Sequence, residues 1–139
     1  MPESETPDLA QLSRRRIEAI NRRDLEAVIG FFAADAVWDM SPVDMGVVEG
    51  STAIRDALRI WWETFPRIVT ELDEVLDLGN GVVFQAVTQR GSPTGSAGEI
   101  RQRSARVLVV VDGLIEALTS YNDIDAARAA AERLAKERG

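Results

Sequence analysis

The sequence contains no cysteine and no histidine. These two absences exclude disulfides, thiol nucleophiles, catalytic dyads that pair serine or cysteine with histidine, and metal sites built from nitrogen or sulfur ligands. We therefore expect no metal centre. The chemistry that remains to the chain is that of carboxylate, arginine, tyrosine and tryptophan side chains.

Long apolar runs are missing as well. The longest aliphatic run, Val107–Val111, is far shorter than the roughly 20 residues that a membrane-spanning helix needs. The first residues, Met1–Thr6, are acidic and lack the apolar segment of a secretory signal. We expect a cytoplasmic protein that does not associate with membranes.

Positive charge is in deficit. The 16 lysines and arginines stand against 23 acidic residues, which gives a net charge of −7. This balance opposes binding to nucleic acid or to anionic lipid, so we expect neither as a partner. One local exception is a group of arginines in the second half of the chain, Arg90, Arg101, Arg103 and Arg106. They cannot all share one face of a sheet, because successive residues of a strand point to opposite sides.

Length and composition fit one globular domain. The 139 residues are 45% hydrophobic and 28% charged, which are ordinary values for a soluble domain large enough to bury a core. We expect a single domain over residues 1–139, with a disordered tail at residues 1–6.

Helical spacing of apolar residues dominates the first half. A first helix is predicted to begin at Thr6–Pro7, and Asp24 is the predicted cap of a second helix. A brief strand follows at residues 36–40. A third helix, capped by Ser51, is predicted to end near Pro66 and carries an apolar, aromatic stripe.

The second half has the two-residue period of strands. Turn signals separate four predicted strands, which form an antiparallel meander and precede a last helix. The strands are residues 68–78, 82–90, 99–111 and 114–122, and the helix is residues 123–138. Helices on either side of one long sheet indicate an α+β fold, in which helices cover one face of the sheet and leave an apolar pocket between the two layers.

Several short motifs carry a resemblance that extends over most of this layout. They are Asn21–Leu25, Phe32–Trp38, Val48–Gly50 and Asp112–Ile115, the last leading to Tyr121 and Asp123. From about Leu9 to Ala127 the chain resembles the SnoaL-like proteins of the nuclear-transport-factor-2-like superfamily. The shared positions are caps, turns and core, so the resemblance is specific for the fold and says little about a reaction.

The resemblance implies a cone-shaped fold. Its helices pack on a strongly curved mixed or antiparallel sheet, in the order α-α-β-α-β-β-β-β-α, around a deep hydrophobic cavity. It also implies a homodimer and, as in the relatives that are enzymes, no cofactor. Members include polyketide cyclases, ketosteroid isomerases, epoxide hydrolases and dehydratases as well as non-catalytic binding modules.

Two functions follow from the resemblance. The first is a protein that binds a small hydrophobic organic ligand in its cone and, if it is an enzyme, moves a proton next to a carbonyl as a cyclase, isomerase or lyase. The open alternative is a non-catalytic ligand-binding or dimeric scaffold module of the same fold.

The catalytic positions of the ketosteroid isomerases fall on apolar residues of this chain. The general base of the first strand falls on Met40, the tyrosine of the first helix on Ile17 and the carboxylic acid of the long strand on Ala105. Similarly, an acidic residue of the epoxide hydrolases falls on Ser120. Isomerisation by that mechanism is disfavoured, unless the register is shifted by one and Asp39 points inward.

Two residues are candidates for catalysis. Asp39 would be the proton-transfer base if it faced the cone, where burial would raise its pKa; on the other face it is an ordinary exposed strand residue. Arg103 shares its side of the strand with Ala105 and Val107, which we expect to face the cone, so it could bind a carboxylate or a developing enolate. The alternative for Arg103 is a salt bridge or an exposed position.

The ligand-binding candidates are chiefly apolar and aromatic. Aromatic walls offer a flat ligand a large contact area with fixed geometry, while the alternative for each residue is ordinary core packing. The candidates are Ile17, Trp38, Met40, Leu58, Trp61, Phe65, Ala105, Val107, Leu118, Ser120 and Asn122.

Overall fold

The structure, a computed structural model, describes residues 8–92, 95 and 98–139. In these residues the chain folds as one six-stranded mixed sheet with four α-helices, which confirms the predicted α+β class and element order. A short strand that was not predicted, β2, and a 3-10 helix at Ser41–Val43 precede the third helix. The elements are α1 (Leu9–Asn21), α2 (Leu25–Ile29), β1 (Phe32–Asp39), β2 (Val47–Glu49), α3 (Ser51–Thr64), β3 (Val69–Asp77), β4 (Val82–Gly91), β5 (Ile100–Val111), β6 (Leu114–Tyr121) and α4 (Ile124–Arg138).

The strands follow the order β2-β1-β6-β5-β4-β3 across the sheet. Strands β3 to β6 form the predicted antiparallel meander, whereas β1 pairs in parallel with β6 and so lies beside the last strand of the chain. Tight hairpin turns require positive φ, which Asn, Asp and Gly tolerate best. The two turns use such residues: Asn80, Gly81, Asp112 and Gly113 all have positive φ. Register shifts in three of the strand pairs bend the sheet.

Aspartates cap three of the helices. The carboxylates of Asp24 and Asp123 accept hydrogen bonds from backbone N–H groups three residues on, at 3.1 and 3.0 Å, as predicted. Helix α1 begins after Asp8, and the predicted start at Thr6–Pro7 lies outside the described residues, as does the tail at residues 1–6. No helix within the described ranges is both long enough and apolar enough to cross a membrane.

Helix α3 begins differently from the prediction. Ser51 is its first residue rather than its cap, because Gly50 holds a φ of 93° and is the N-cap without a side-chain hydrogen bond. The helix ends at Thr64, shortly before Pro66, as predicted. The predicted turn at residues 91–98 includes residues 93, 94, 96 and 97, which lie outside the described part of the chain.

Each face of the sheet is covered by different helices. Helices α1, α2 and α3 pack on the inner face, around core residues such as Val83 and Leu108. Helix α4 packs on the outer face, where Ala131 lies in one cluster with Ala86 and Ala105. Small residues on both sides allow the helix and the sheet to approach closely. Helix α4 therefore covers part of the outer face of β4 and β5.

Two polar contacts fix α1 and the end of α3 beside β3. The Asn21 side chain donates from Nδ2 to the Thr70 carbonyl at 2.8 Å and accepts from the Thr70 N–H at 2.9 Å. The Arg23 guanidinium donates to the Phe65 carbonyl at 3.0 Å and lies 5.5 Å from the centroid of the Trp62 ring. These contacts hold together α1, the end of α3 and β3, which lie beside the site described next.

Candidate functional site

A cavity of about 290 Å³ lies between the inner face of the sheet and helices α1 and α3. Its volume is at the lower end of small-molecule pockets, which span roughly 300–1,000 Å³. Apolar and aromatic side chains form most of the wall, and arginine, amide and hydroxyl side chains form the rest. The lining residues are Arg16, Ile20, Phe32, Trp38, Met40, Val43, Met45, Ile54, Leu58, Trp61, Trp62, Thr70, Gln89, Gln102, Ser104, Ala105, Arg106, Leu118, Ser120, Tyr121 and Asn122.

All three tryptophans of the chain line this cavity. Trp61 and Trp62 come from α3, and Trp38 comes from β1. The indole Nε1 of Trp38 donates to Ser120 Oγ at 3.1 Å, and the ring centroid of Trp61 is 4.7 Å from that of Phe65. Because these contacts fix the rings, the aromatic part of the wall is preformed.

Arg16 brings a positive charge to the wall from helix α1. It shares the buried side of the helix with Ser13, Ile17 and Ile20, at spacings of three and four residues. The residue is only 5% exposed, and its guanidinium lies 5.7 Å from the centroid of the Phe32 ring. The Arg16 Nε and Nη1 atoms have no hydrogen-bond partner among the described residues.

Arg106 brings a second positive charge from β5. It pairs with Gln85 of β4 and lies on the same side of its strand as the core residue Leu108. Its Nη1 is buried and likewise lacks a partner in the part of the chain that the structure describes. Burial lowers the pKa of Arg106 to about 10, and burial with the nearby charge of Arg106 lowers the pKa of Arg16 to about 9. Both groups are therefore cationic at neutral pH.

Among the described residues, no acidic side chain offsets these two charges. Within residues 8–92, 95 and 98–139, no Asp or Glu lines the cavity, and neither arginine forms an ion pair. The other polar groups of the wall are mostly neutral, such as those of Thr70, Gln89 and Ser104. The cavity can therefore hold a flat apolar body and stabilise negative charge, but its wall offers no carboxylate to remove a proton.

Comparison with protein families identifies this architecture. The family model described as SnoaL-like domain matches residues 13–118, which is most of the chain. The chain belongs to the SnoaL-like domain family. A search of the curated proteins gives no match.

Solved structures share the SnoaL-like fold at low sequence identity. An NTF2-like protein of unknown function from Burkholderia pseudomallei K96243 has a TM-score of 0.74 and 21% identity, covering 87% of this chain and 95% of that chain. A hypothetical protein with a ketosteroid isomerase-like fold from Catenulispora acidiphila DSM 44928, in complex with trimethylamine, has a TM-score of 0.74 and 14% identity, covering 91% and 93%. An LEH-like epoxide hydrolase from M. tuberculosis has a TM-score of 0.69 and 15% identity, covering 88% of each chain. At these identities the likeness establishes the fold alone.

In this SnoaL-like chain Met40, rather than Asp39, forms part of the cavity wall. The Asp39 carboxylate accepts a hydrogen bond from the Ser41 backbone N–H at 2.8 Å. Hydrogen bonds from the side chain and the backbone of Ser41 hold the pKa of Asp39 below its ordinary value. A catalytic base would need the opposite shift, toward neutrality. Asp39 therefore stabilises the start of the 3-10 helix and is not placed to act on a ligand in the cavity.

Arg103 lies on the outer face of the sheet, so the expectation that it faces the cone is wrong. Its Nε is 3.6 Å from Asp73 Oδ2, which also accepts a hydrogen bond from Thr88 Oγ1 at 2.6 Å. Strand β5 directs Arg106 and Leu108 inward, whereas Ala105 and Val107 pack in the cluster beside α4. From the sequence, we expect the side of β5 that carries Ala105 to face the cone. In the structure the small side chain of Ala105 instead allows α4 to approach the outer face. Of the three residues expected to face the cone, Ala105 alone contributes to the cavity wall.

Eight of the eleven predicted ligand-binding residues lie on the cavity wall of the SnoaL-like domain. Ile17 belongs to the inner core, Val107 packs beside α4, and Phe65 stacks against Trp61 without lining the cavity. That the other eight bind a ligand stays a prediction. They are Trp38, Met40, Leu58, Trp61, Ala105, Leu118, Ser120 and Asn122.

Sequence reasoning missed the two arginines of the SnoaL-like cavity. A signal for Arg16 existed, because it stands three residues after Ser13 and four before Ile20 on the buried stripe of α1. The signal for Arg106 was weaker, since strand alternation gives its side only once the inward face of β5 is known. A charged residue on an otherwise buried stripe is the pattern that would have found the first of them.

Proposed function

We propose that this SnoaL-like protein binds a small, flat, largely apolar organic molecule in its cavity. The observation that carries the proposal is a volume of about 290 Å³ with three tryptophans on its wall. Aromatic walls of this kind give a flat ligand a large contact area, and the fixed rings reduce the entropy lost on binding. Simple core packing, the alternative for the same residues, would leave no such volume between them.

A binding role has more support than a catalytic one. Proton abstraction next to a carbonyl requires a base within reach of the substrate. The lining residues that the structure describes include no carboxylate, and Asp39 lies outside the cavity. Stabilisation of an enolate by the arginines is the one step of a cyclase or isomerase reaction that such a wall would assist.

Calorimetric titration with cinnamamide, a neutral flat aromatic molecule, tests the proposal. We expect saturable binding of one molecule per chain, together with a change in tryptophan emission, because every tryptophan lines the cavity. Trp61→Ala should weaken binding about 3- to 10-fold by removing part of the aromatic wall. Ile60→Ala is the matched control, because Ile60 is 60% exposed on the same helix and does not line the cavity. If neither neutral nor anionic aromatic probes bind saturably, the proposal fails.

We further propose that the protein is a homodimer, as the resemblance implies. Light scattering on the purified protein should then give about twice the 15.3 kDa of one chain. The mass of a single chain would contradict this proposal and would leave the ligand-binding proposal intact.

A further inference from the structure

We propose that the ligand is an organic carboxylate and that Arg16 and Arg106 bind its carboxylate group. The inference rests on the proposed function and narrows it, because it assigns a charge to a molecule whose body the aromatic wall selects. The two arginines reach the same cavity from different elements, Arg16 from α1 and Arg106 from β5.

The two cations are buried without a counter-charge. The chain has 23 acidic residues, yet none of the described ones lines the cavity. Arginines elsewhere in the chain do have acidic partners: Arg128 of α4 lies 2.8 Å from Glu74, and Arg90 of β4 lies 3.3 Å from Glu71. Burying an unpaired charge is strongly unfavourable, and the penalty falls when an anion binds to it. A site that keeps two such charges on an apolar wall is therefore complementary to an anionic ligand.

Neutral polar side chains next to the arginines strengthen this assignment. Ser13 precedes Arg16 by three residues on α1, and Gln85 is the strand neighbour of Arg106. Both Ser13 and Gln85 are fully buried, and Ser13 Oγ and both amide heteroatoms of Gln85 lack partners among the described residues. Buried polar atoms of this kind normally have partners. Neither residue lines the cavity itself, so these atoms extend the group of buried, unpartnered polar atoms behind its wall, on the same elements that carry the two arginines.

A carboxylate fits this site better than a phosphate ester does. Phosphates are commonly bound by backbone N–H groups at helix N-termini. In the described part of the chain, none of the first three residues of an α-helix lines the cavity. The donors available are side chains, chiefly the guanidinium groups, which bind carboxylates as well as phosphates, so the missing helix N-terminus is what favours the carboxylate. The apolar remainder of the wall suits the hydrocarbon body of an aromatic or unsaturated acid.

Calorimetry with trans-cinnamate and cinnamamide tests the inference, because the two probes share a flat body and differ in charge. At pH 7.4 we expect wild-type protein to bind cinnamate about 10- to 100-fold more tightly than the amide. Arg106→Gln should reduce this preference by about tenfold or more. Arg101→Gln is the matched control, because Arg101 is an exposed arginine on the same strand and does not line the cavity. Its preference for cinnamate should equal that of wild-type protein.

Several outcomes would overturn the inference. Equal affinity of wild-type protein for the two probes would contradict the assignment of a carboxylate ligand and leave the proposed function intact. Binding of neither probe would contradict both the assignment and the proposed function. A preference that survives in folded Arg106→Gln and Arg16→Gln variants would show that other groups bind the charge. If Arg16→Gln fails to fold by circular dichroism, Arg106→Gln decides alone. Tighter binding of phenyl phosphate than of cinnamate would assign the site to phosphate esters and overturn the choice of carboxylate.

Discussion

Replacing Arg16 by methionine should stabilise the protein, although it removes a residue that we assign to ligand binding. Burial and the nearby charge of Arg106 lower the pKa of Arg16 to about 9 in the folded protein, well below the ordinary value of an arginine. At about 1.36 kcal/mol per pH unit, a lowering of this size corresponds to a penalty of a few kcal/mol for burying the charge beside Arg106. It is an upper limit for the gain, because the variant loses the contact of Arg16 with the Phe32 ring and methionine fills the space imperfectly.

The net expectation is a rise of about 1–3 kcal/mol in the free energy of unfolding at pH 7, which corresponds to a melting temperature higher by about 3–10 °C. The gain should depend on pH in a defined direction. Since the pKa of Arg16 is lower in the folded than in the unfolded protein, the unfolded chain binds more protons in the range that begins near pH 9 and extends to the ordinary pKa of arginine. The penalty is therefore complete below about pH 9 and declines as the pH rises through that range.

Urea denaturation of wild-type protein and Arg16→Met, at pH 7 and at about pH 10.5, measures both effects. Arg15→Met is the matched control, because Arg15 is the exposed neighbour on the same helix and should change stability by less than about 0.5 kcal/mol. A variant less stable than wild type, with a difference that stays the same at both pH values, would refute the reasoning. It would mean that the Arg16 charge is well compensated in the folded protein.

Three further variants test the fold and the position of Asp39. Asn21→Ala removes two hydrogen bonds to the backbone of β3 and should lower the free energy of unfolding, measured in urea, by about 1–3 kcal/mol. Arg22→Ala is the neighbouring control, and an equal loss of stability in both variants would contradict the prediction. Gly81→Ala places a Cβ against a carbonyl oxygen of β5, whereas Gly79→Ala meets nothing within 4 Å; the first should be less stable than the second by at least about 1 kcal/mol, and equal stability would rule out the close contact. Asp39→Asn should leave cinnamate affinity unchanged within about twofold by calorimetry, because the carboxylate bonds to Ser41 instead of lining the cavity. Lost binding would return Asp39 to the site.

The fold follows from signals that are local in the sequence, and the exceptions are non-local. Asn80–Gly81 and Asp112–Gly113 predict tight hairpins, because these residues tolerate positive φ, and the hairpins in turn set the antiparallel meander. The parallel pairing of β1 with β6 could not be predicted from a turn, because more than half of the chain separates the two strands. The three-residue strand β2 is too short to show a period.

The cavity wall was predictable where it is aromatic and was missed where it is charged. Trp61 lies on the apolar stripe of α3, so helical periodicity places it on the inner side. Trp38 shares one side of its strand with Met40, but alternation alone does not tell whether that side or the side of Asp39 points inward. Arg103 was assigned inward and Arg106 overlooked because a one-residue error in strand parity exchanges the two faces of β5. Only the packing of α4 against Ala105 and its neighbours decides that parity, and this contact depends on the tertiary fold.

The parallel pair β1–β6 also determines when the cavity can form during folding. Trp38 of β1 forms part of the cavity wall, and its hydrogen bond to Ser120 of β6 joins residues that are 82 positions apart in the sequence. A chain still being synthesised cannot close this contact until β6 has left the ribosome, so Trp38 stays without its hydrogen-bond partner Ser120 until then. Contacts of such long range slow folding, because the entropy of closing the loop is lost before the contact stabilises the structure. Docking of β6 beside β1 is thus the event that completes the cavity wall, and an early strand of the chain takes its place in that wall only when a late strand arrives.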